Sequence, residues 1–212
     1  MVFKDRRDAG AQLAEKLRHY TGRSDVIVLG LPRGGVVVGD EVASALSCPL
    51  DVLIVRKIGF PTEPELAVGA VSETGTVVLN KDIVSHYGVT DRYLDEETAA
   101  QKKELSRRQS LYRGGAGVVP LSGRIVIIVD DGVATGATMR AALVTLKEEK
   151  IARLVAALPV ASQKAEAELS PLADEWVCLQ APEDFRAVGG YYRDFRQVGD
   201  DEVIRILNRY RG

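Results

Sequence analysis

The sequence predicts a doubly wound α/β fold, a mostly parallel sheet flanked by helices, in a single domain over residues 1–212. Three observations lead there. Several apolar runs show no polar alternation, as strands covered on both faces do. Apolar residues between the runs recur at helical spacing. Two of the runs pass directly into glycine-bearing loops that open helices.

The first run, VIVLG (26–30), starts the sheet. It continues through LGLPRGGVVVGDEVA (29–43) as strand, glycine loop and a helix beginning near Val36. DVLIV (51–55) is the second strand. Residues 56–80 break the alternation and carry Gly59, Pro61 and Pro64, which marks a long loop of the functional or disordered kind. Within it, AVGAV and TVVL form a short hairpin around SETG. TDRYLDEETAAQKKELSRRQSLY (90–112) is a long charged helix whose narrow stripe, Leu94, Leu105 and Tyr112, lays it across the domain. RIVIIVD (124–130) is the next strand. It is followed by a helix with Met139, Ala142, Leu143 and Leu146 on one face. RLVAALPV (153–160) and EWVCL (175–179) complete the sheet, and Val203, Ile206, Leu207 and Tyr210 mark a C-terminal helix.

Composition excludes several classes. The 212 residues are 46% hydrophobic, enough for one sizeable core. Lys and Arg number 28 against 30 Asp and Glu, a net charge of −2, so no broad nucleic-acid surface is implied and an anion site must be built locally. The basic stretch SRRQSLYRGG (106–115) reads as a solvated helix end. No G-x-G-x-x-G follows the first strand, which argues against a dinucleotide fold. Cys48 and Cys178 lie in apolar surroundings and read as reduced thiols. Trp176 reads as core, and His19 and His86 lack metal-ligand spacing. The N-terminus has no apolar leader pattern, and no run approaches the roughly 18 apolar residues that span a bilayer. A cytoplasmic protein with no membrane or nucleic-acid partner is expected.

The chemistry concentrates in IVIIVDDGVATGAT (125–138). The strand delivers Asp130 and Asp131 to the sheet edge where ligands bind in such folds. The loop that follows offers backbone N–H groups at a helix N-terminus, which suits an anion. Carboxylates repel phosphate but accept hydrogen bonds from sugar hydroxyls or hold a divalent metal. One ligand satisfies both halves: a diol on the aspartates and a phosphate in the loop, as in ribose 5-phosphate.

VIIVDDGVATGATM closely resembles the phosphoribosyl pyrophosphate (PRPP) motif of the type I phosphoribosyltransferases. LPRGGVVVGDEVA, VRKIG and GGYYRDFRQVGDDEV extend the resemblance, towards members of unassigned substrate, over nearly the whole chain. The resemblance implies transfer of the ribose 5-phosphate of PRPP to a nitrogen nucleophile, a nucleobase first among them, with release of pyrophosphate. Mg²⁺ would enter with PRPP, Asp130 and Asp131 being its candidate protein contacts. Asp130 and Asp131 would contact the ribose hydroxyls. Val133, Ala134, Thr135, Gly136, Ala137 and Thr138 would hold the 5-phosphate. Hypoxanthine-directed members carry an aspartate where this chain has Ala134, which makes that activity the less expected one.

Arg33, Gly34 and Gly35 resemble the family's pyrophosphate loop, which often carries a non-proline cis peptide, here expected near Arg33. Arg56 and Lys57, placed after the second strand, would stabilise departing pyrophosphate. Glu63 and Glu65 in the same loop would face the incoming base or the developing sugar cation. Residues 58–66 would be poorly ordered without ligand and close over PRPP. A small hood would come from residues 80–115 and 180–200, with Phe185, Tyr191 and Tyr192 available to stack on a base. A homodimer is the family's common form. A rival reading remains: some proteins of this fold bind PRPP as a signal without turning it over.

Overall fold

The computed structural model describes residues 2–114, 117 and 119–211 and, over residues 63–66, the backbone alone. Helix α1 (Arg6–Lys16) precedes strand β1 (Val26–Gly30), α2 (Gly34–Leu46) and β2 (Leu50–Val52). Three strands follow without a crossover: β3 (Val55–Phe60), β4 (Glu63–Ser72) and β5 (Val77–Leu79). Next come α3 (Lys81–His86), α4 (Asp91–Arg113), β6 (Ile125–Val129), α5 (Ala137–Lys147), β7 (Arg153–Val160), α6 (Gln163–Leu169), β8 (Glu175–Gln180) and α7 (Asp200–Asn208).

The main sheet has five parallel strands in the order β2-β1-β6-β7-β8, with helices on both faces, as the apolar runs predict. The faces divide by residue parity, because successive side chains point to opposite sides. Val26, Val28, Ile125, Ile127 and Val129 join α1, α2 and α7 in one buried cluster. Ile27, Leu29, Val126 and Ile128 join α5 in the other. Each of these buried side chains contributes about 1.5–3 kcal/mol of transfer free energy. Pairing Gly30 with Val129 brings the ends of β1 and β6 level, so the loops after them are neighbours.

Residues 51–60 depart from expectation. The second strand ends at Val52 rather than at residue 55. The chain then turns away, and Val55 starts an antiparallel sheet ordered β3-β4-β5. A continuous apolar run reports burial and not which sheet the residues join, so the boundary was invisible locally. The expected long loop at 56–80 is therefore two hairpins. The one around residues 73–76 agrees with the sequence, pairing Val71 with Val77 and Ala70 with Val78.

A buried ion cluster fixes this second sheet to the first. The Arg113 guanidinium, 2% exposed, donates to Asp51 at 3.1 and 3.2 Å, to Glu73 and to the Val52 carbonyl at 2.6 Å. It thereby joins the end of α4, β2 and the β4–β5 turn. Helix α4 begins on Thr90, whose side chain accepts from the Tyr93 amide, and ends at Gly114 in the left-handed region. Its stripe is the expected one: Leu94, Leu105 and Tyr112 are buried. Helix α2 starts at Gly34, two residues before the expected Val36. Trp176 is half-buried rather than core, its indole N–H donating to Glu166 at 2.8 Å. Cys48 and Cys178 are free thiols.

Candidate functional site

A cleft of about 800 Å³ opens beyond the carboxyl ends of the parallel strands. One wall is the loop from Gly132 to Thr138 with Asp130; the other is β3 and the cleft-facing side of α4.

The loop wall is rich in donors. The amides of Ala134, Thr135, Gly136, Ala137 and Thr138 donate to no carbonyl among the described residues. They lie at the start of α5, where the helix dipole adds positive potential. Gly136, at φ 80°, takes a left-handed conformation that favours glycine. Val133 differs from its expected role, because its amide donates to the Val160 carbonyl at 2.9 Å and is spent. Ser162 holds the loop from behind: its hydroxyl donates to the Ala134 carbonyl at 2.7 Å and its amide to that of Val133 at 2.9 Å. The loop is therefore shaped before any ligand arrives.

The two aspartates diverge. Asp130 lines the cleft. Burial, then the negative charge of Asp131, raises its carboxyl well above the usual carboxylate range. Asp131 turns towards α2 and accepts from Arg6 Nε at 2.7 Å. Arg6 also donates to the Arg196 carbonyl at 2.9 Å and stacks on the Phe195 ring at 3.9 Å. Sequence reasoning missed Arg6 together with all of α1. The available signal was Asp5, which caps α1 by accepting from the Asp8 amide, ahead of the buried Ala9, Leu13 and Ala14.

Gly34 and Gly35 make room for the aspartates. A Cβ on Gly34 would stand 1.9 Å from Asp131 Oδ2, and one on Gly35 would stand 2.5 Å from the Val129 carbonyl oxygen. Arg33 follows a cis peptide with Pro32, in the region expected. Its side chain does not line the cleft; it is 40% exposed and 4.0 Å from Asp200.

Arg56 and Lys57 do line the cleft, but from β3 of the second sheet rather than from the end of a parallel strand. Arg56 Nε donates to Gln101 Oε1 at 2.8 Å. The side chains of Glu63 and Glu65 lie outside the described residues. The expected loop at 58–66 is the end of one strand, an exposed turn at Pro61 and Thr62, and the start of the next. Tyr93 secures the bulged end of β3 by donating to the Gly59 carbonyl at 2.8 Å.

The C-terminal aromatics do not form the expected stacking surface. Tyr192 is 6% exposed and donates its hydroxyl to the Asp131 carbonyl. Burial pushes its phenol far above the ordinary range. Phe185 and Tyr191 stack on each other at 5.4 Å and do not line the cleft. Val188 is the residue of that segment that does. Phe3 pairs with residues 191–193 through its amide and carbonyl, and Asp131 is held by Arg6 at its carboxylate and by Tyr192 at its carbonyl. From the 80–115 segment, Tyr93, Glu97 and Gln101 reach the cleft.

No three His, Cys, Asp or Glu side chains converge as a metal cage among the described residues. Asp130, which lines the cleft, offers one carboxylate to a cation that takes its other ligands from phosphates and water, as Mg²⁺ does, while Asp131 is engaged by Arg6. No described helix is long and apolar enough to cross a membrane.

The phosphoribosyl transferase domain family matches residues 4–196. Proteins from Mycobacterium tuberculosis strains CDC 1551 / Oshkosh and ATCC 25618 / H37Rv, provisionally named phosphoribosyl transferases, are 48% identical over 98% of this chain. The alignment covers 47% of each, so the chain spans about half the length of these relatives. The crystal structure of TT1426 from Thermus thermophilus superposes with a TM-score of 0.89, at 48% identity and 99% coverage of both chains. A Neisseria gonorrhoeae protein solved with bound ppGpp shares the fold at a TM-score of 0.50 and 16% identity, covering 99% of this chain and 98% of that one.

Proposed function

Because the chain belongs to the phosphoribosyl transferase domain family, we propose that it transfers the 5-phosphoribosyl group of PRPP to a nitrogen nucleophile, a nucleobase being the acceptor class, and releases pyrophosphate. The observation that carries this reading is the row of unbonded amides from Ala134 to Thr138. A 5-phosphate there would meet those N–H groups, the helix dipole and the Thr135 and Thr138 hydroxyls. The ribose hydroxyls would lie against Asp130, displacing the proton that burial favours there, with Asp131 kept next to it on Arg6. The basic groups Arg56 and Lys57 would face the leaving pyrophosphate, where cations lower the barrier. Arg33 would join them after a side-chain rearrangement. Mg²⁺ held by PRPP and Asp130 would neutralise pyrophosphate charge. The setting is nucleotide metabolism in the cytoplasm, with a homodimer as the assembly.

The test is pyrophosphate release from PRPP and Mg²⁺ with a series of nucleobases. Release with at least one base is expected. PRPP binding without release for any base would replace transfer by a sensing role.

A further inference from the structure

The cleft carries a carboxylate that polyanion binding does not explain. Tyr93, Glu97 and Gln101 project from α4 at intervals of four residues, a spacing that aligns them on one helix face. Gln101 is held at both ends of its amide. Its Oε1 accepts from Arg56 Nε at 2.8 Å, and its Nε2 donates to Glu97 Oε1 at 2.7 Å. Glu97 Oε2 has no hydrogen-bond partner among the described residues. A carboxylate so placed repels the phosphates for which the opposite wall is built. It attracts a group that presents N–H. The aromatic rings that line the same cleft are Tyr93, one turn before Glu97 on α4, and Phe60, which is tilted against Tyr87 at 5.2 Å, whereas Phe185 and Tyr191 lie outside it and Tyr192 is buried against Asp131.

We propose that Glu97 is the acceptor-recognising residue: its free oxygen takes an N–H of the incoming nucleophile, in the cleft that the Tyr93 and Phe60 rings also line. The site therefore takes neutral N–H heterocycles and disfavours acceptors that carry a carboxylate. This rests on the transferase reading and adds the substrate class to it. In the transfer step the acceptor nitrogen forms a bond to the ribose anomeric carbon as the bond from that carbon to pyrophosphate breaks. Pyrophosphate leaves with the electron pair, and the N–H proton passes to the Glu97 carboxylate and then to water. The Gln101 link places Arg56, on the leaving-group side, and Glu97, on the acceptor side, in one hydrogen-bonded chain.

The experiment measures binding and turnover separately. Binding of adenine, hypoxanthine, uracil, orotate and quinolinate to protein saturated with ribose 5-phosphate and Mg²⁺ is followed by ligand-observed NMR. At least one neutral heterocycle should bind more tightly than either carboxylated compound. Glu97→Gln and Glu97→Ala should each weaken that heterocycle at least tenfold and leave ribose 5-phosphate affinity within twofold. The proposal is overturned if no neutral heterocycle binds. It is equally overturned if orotate or quinolinate binds as well, if both variants keep wild-type affinity, or if ribose 5-phosphate is lost in parallel. Pyrophosphate release from PRPP in companion samples tests the transfer itself. Heterocycle binding that needs Glu97, without release, leaves the acceptor site standing and removes the transferase. Release that is unaffected in both variants does the reverse.

Discussion

Arg6 and Asp131, 125 residues apart in the chain, form a largely buried ion pair of 2.7 Å at the edge of the candidate site. The side chains are 10% and 16% exposed, so the surface-pair value does not apply. Removing one partner of a buried pair costs about 3–5 kcal/mol, because the other charge stays desolvated. Arg6→Ala should therefore lower unfolding stability by about 3 kcal/mol in urea titrations. Asp131 would lose its orientation, and PRPP affinity should fall at least tenfold by calorimetry. A stability change under about 1 kcal/mol with unchanged affinity would contradict both expectations.

Gly34 and Gly35 both leave space that a Cβ would fill. Alanine at 34 collides with the Asp131 carboxylate and with Arg6 Nε, the two ends of the buried ion pair. Alanine at 35 collides with the Val129 carbonyl and the Asp130 Cα, which are backbone. Overpacking a rigid site costs about 1–3 kcal/mol. Both variants should melt lower than the parent, and Gly34→Ala, which strikes the ion pair, should weaken PRPP binding more than Gly35→Ala. The opposite ranking would refute the assignment.

Asp130 makes stability depend on pH. Its folded carboxyl titrates well above the ordinary aspartate range, chiefly through burial and then the charge of Asp131. The folded state thus holds a proton that the unfolded chain releases, and stability falls as pH rises from about 4 through the raised value. Asp130→Asn removes the penalty. The variant should melt a few degrees higher at neutral pH, on the order of 1 kcal/mol, and bind PRPP more weakly. Well below the ordinary aspartate range the two proteins should melt alike. A melting gain that grows as pH falls would have the wrong sign.

The β3–β4 hairpin should respond to ligand at its tip. The ladder shifts register at Ile58, Gly59 and Phe60, and Pro61 and Thr62 are exposed. In hydrogen exchange without ligand, Lys57 and Ile58 should exchange slowly and Gly59, Phe60 and Thr62 quickly. PRPP with Mg²⁺ should slow the tip at least tenfold. Uniform slow exchange unchanged by PRPP would mark a fixed wall and exclude closure.

The local half of this protein was readable from its sequence. Apolar runs without alternation mark buried parallel strands, and a strand followed by Asp130, Asp131 and a Gly/Thr loop marks a turn that opens a helix with its amides unbonded among the described residues. Such signals lie within about ten residues of one another, where hydrophobic period and backbone freedom decide the outcome. Tertiary structure decided the rest. It sent the chain after Val52 into a second sheet, because a buried run carries no label for the sheet it joins. It turned Asp131 from the cleft to Arg6, spent the Val133 amide on Val160 and buried Tyr192. It brought Gln101 of a charged helix against Arg56, with Glu97 bonded to Gln101. Each of these contacts joins elements far apart in the chain. Their partners are chosen by packing and by the cost of leaving a buried charge or amide unpaired, which no short stretch of sequence encodes.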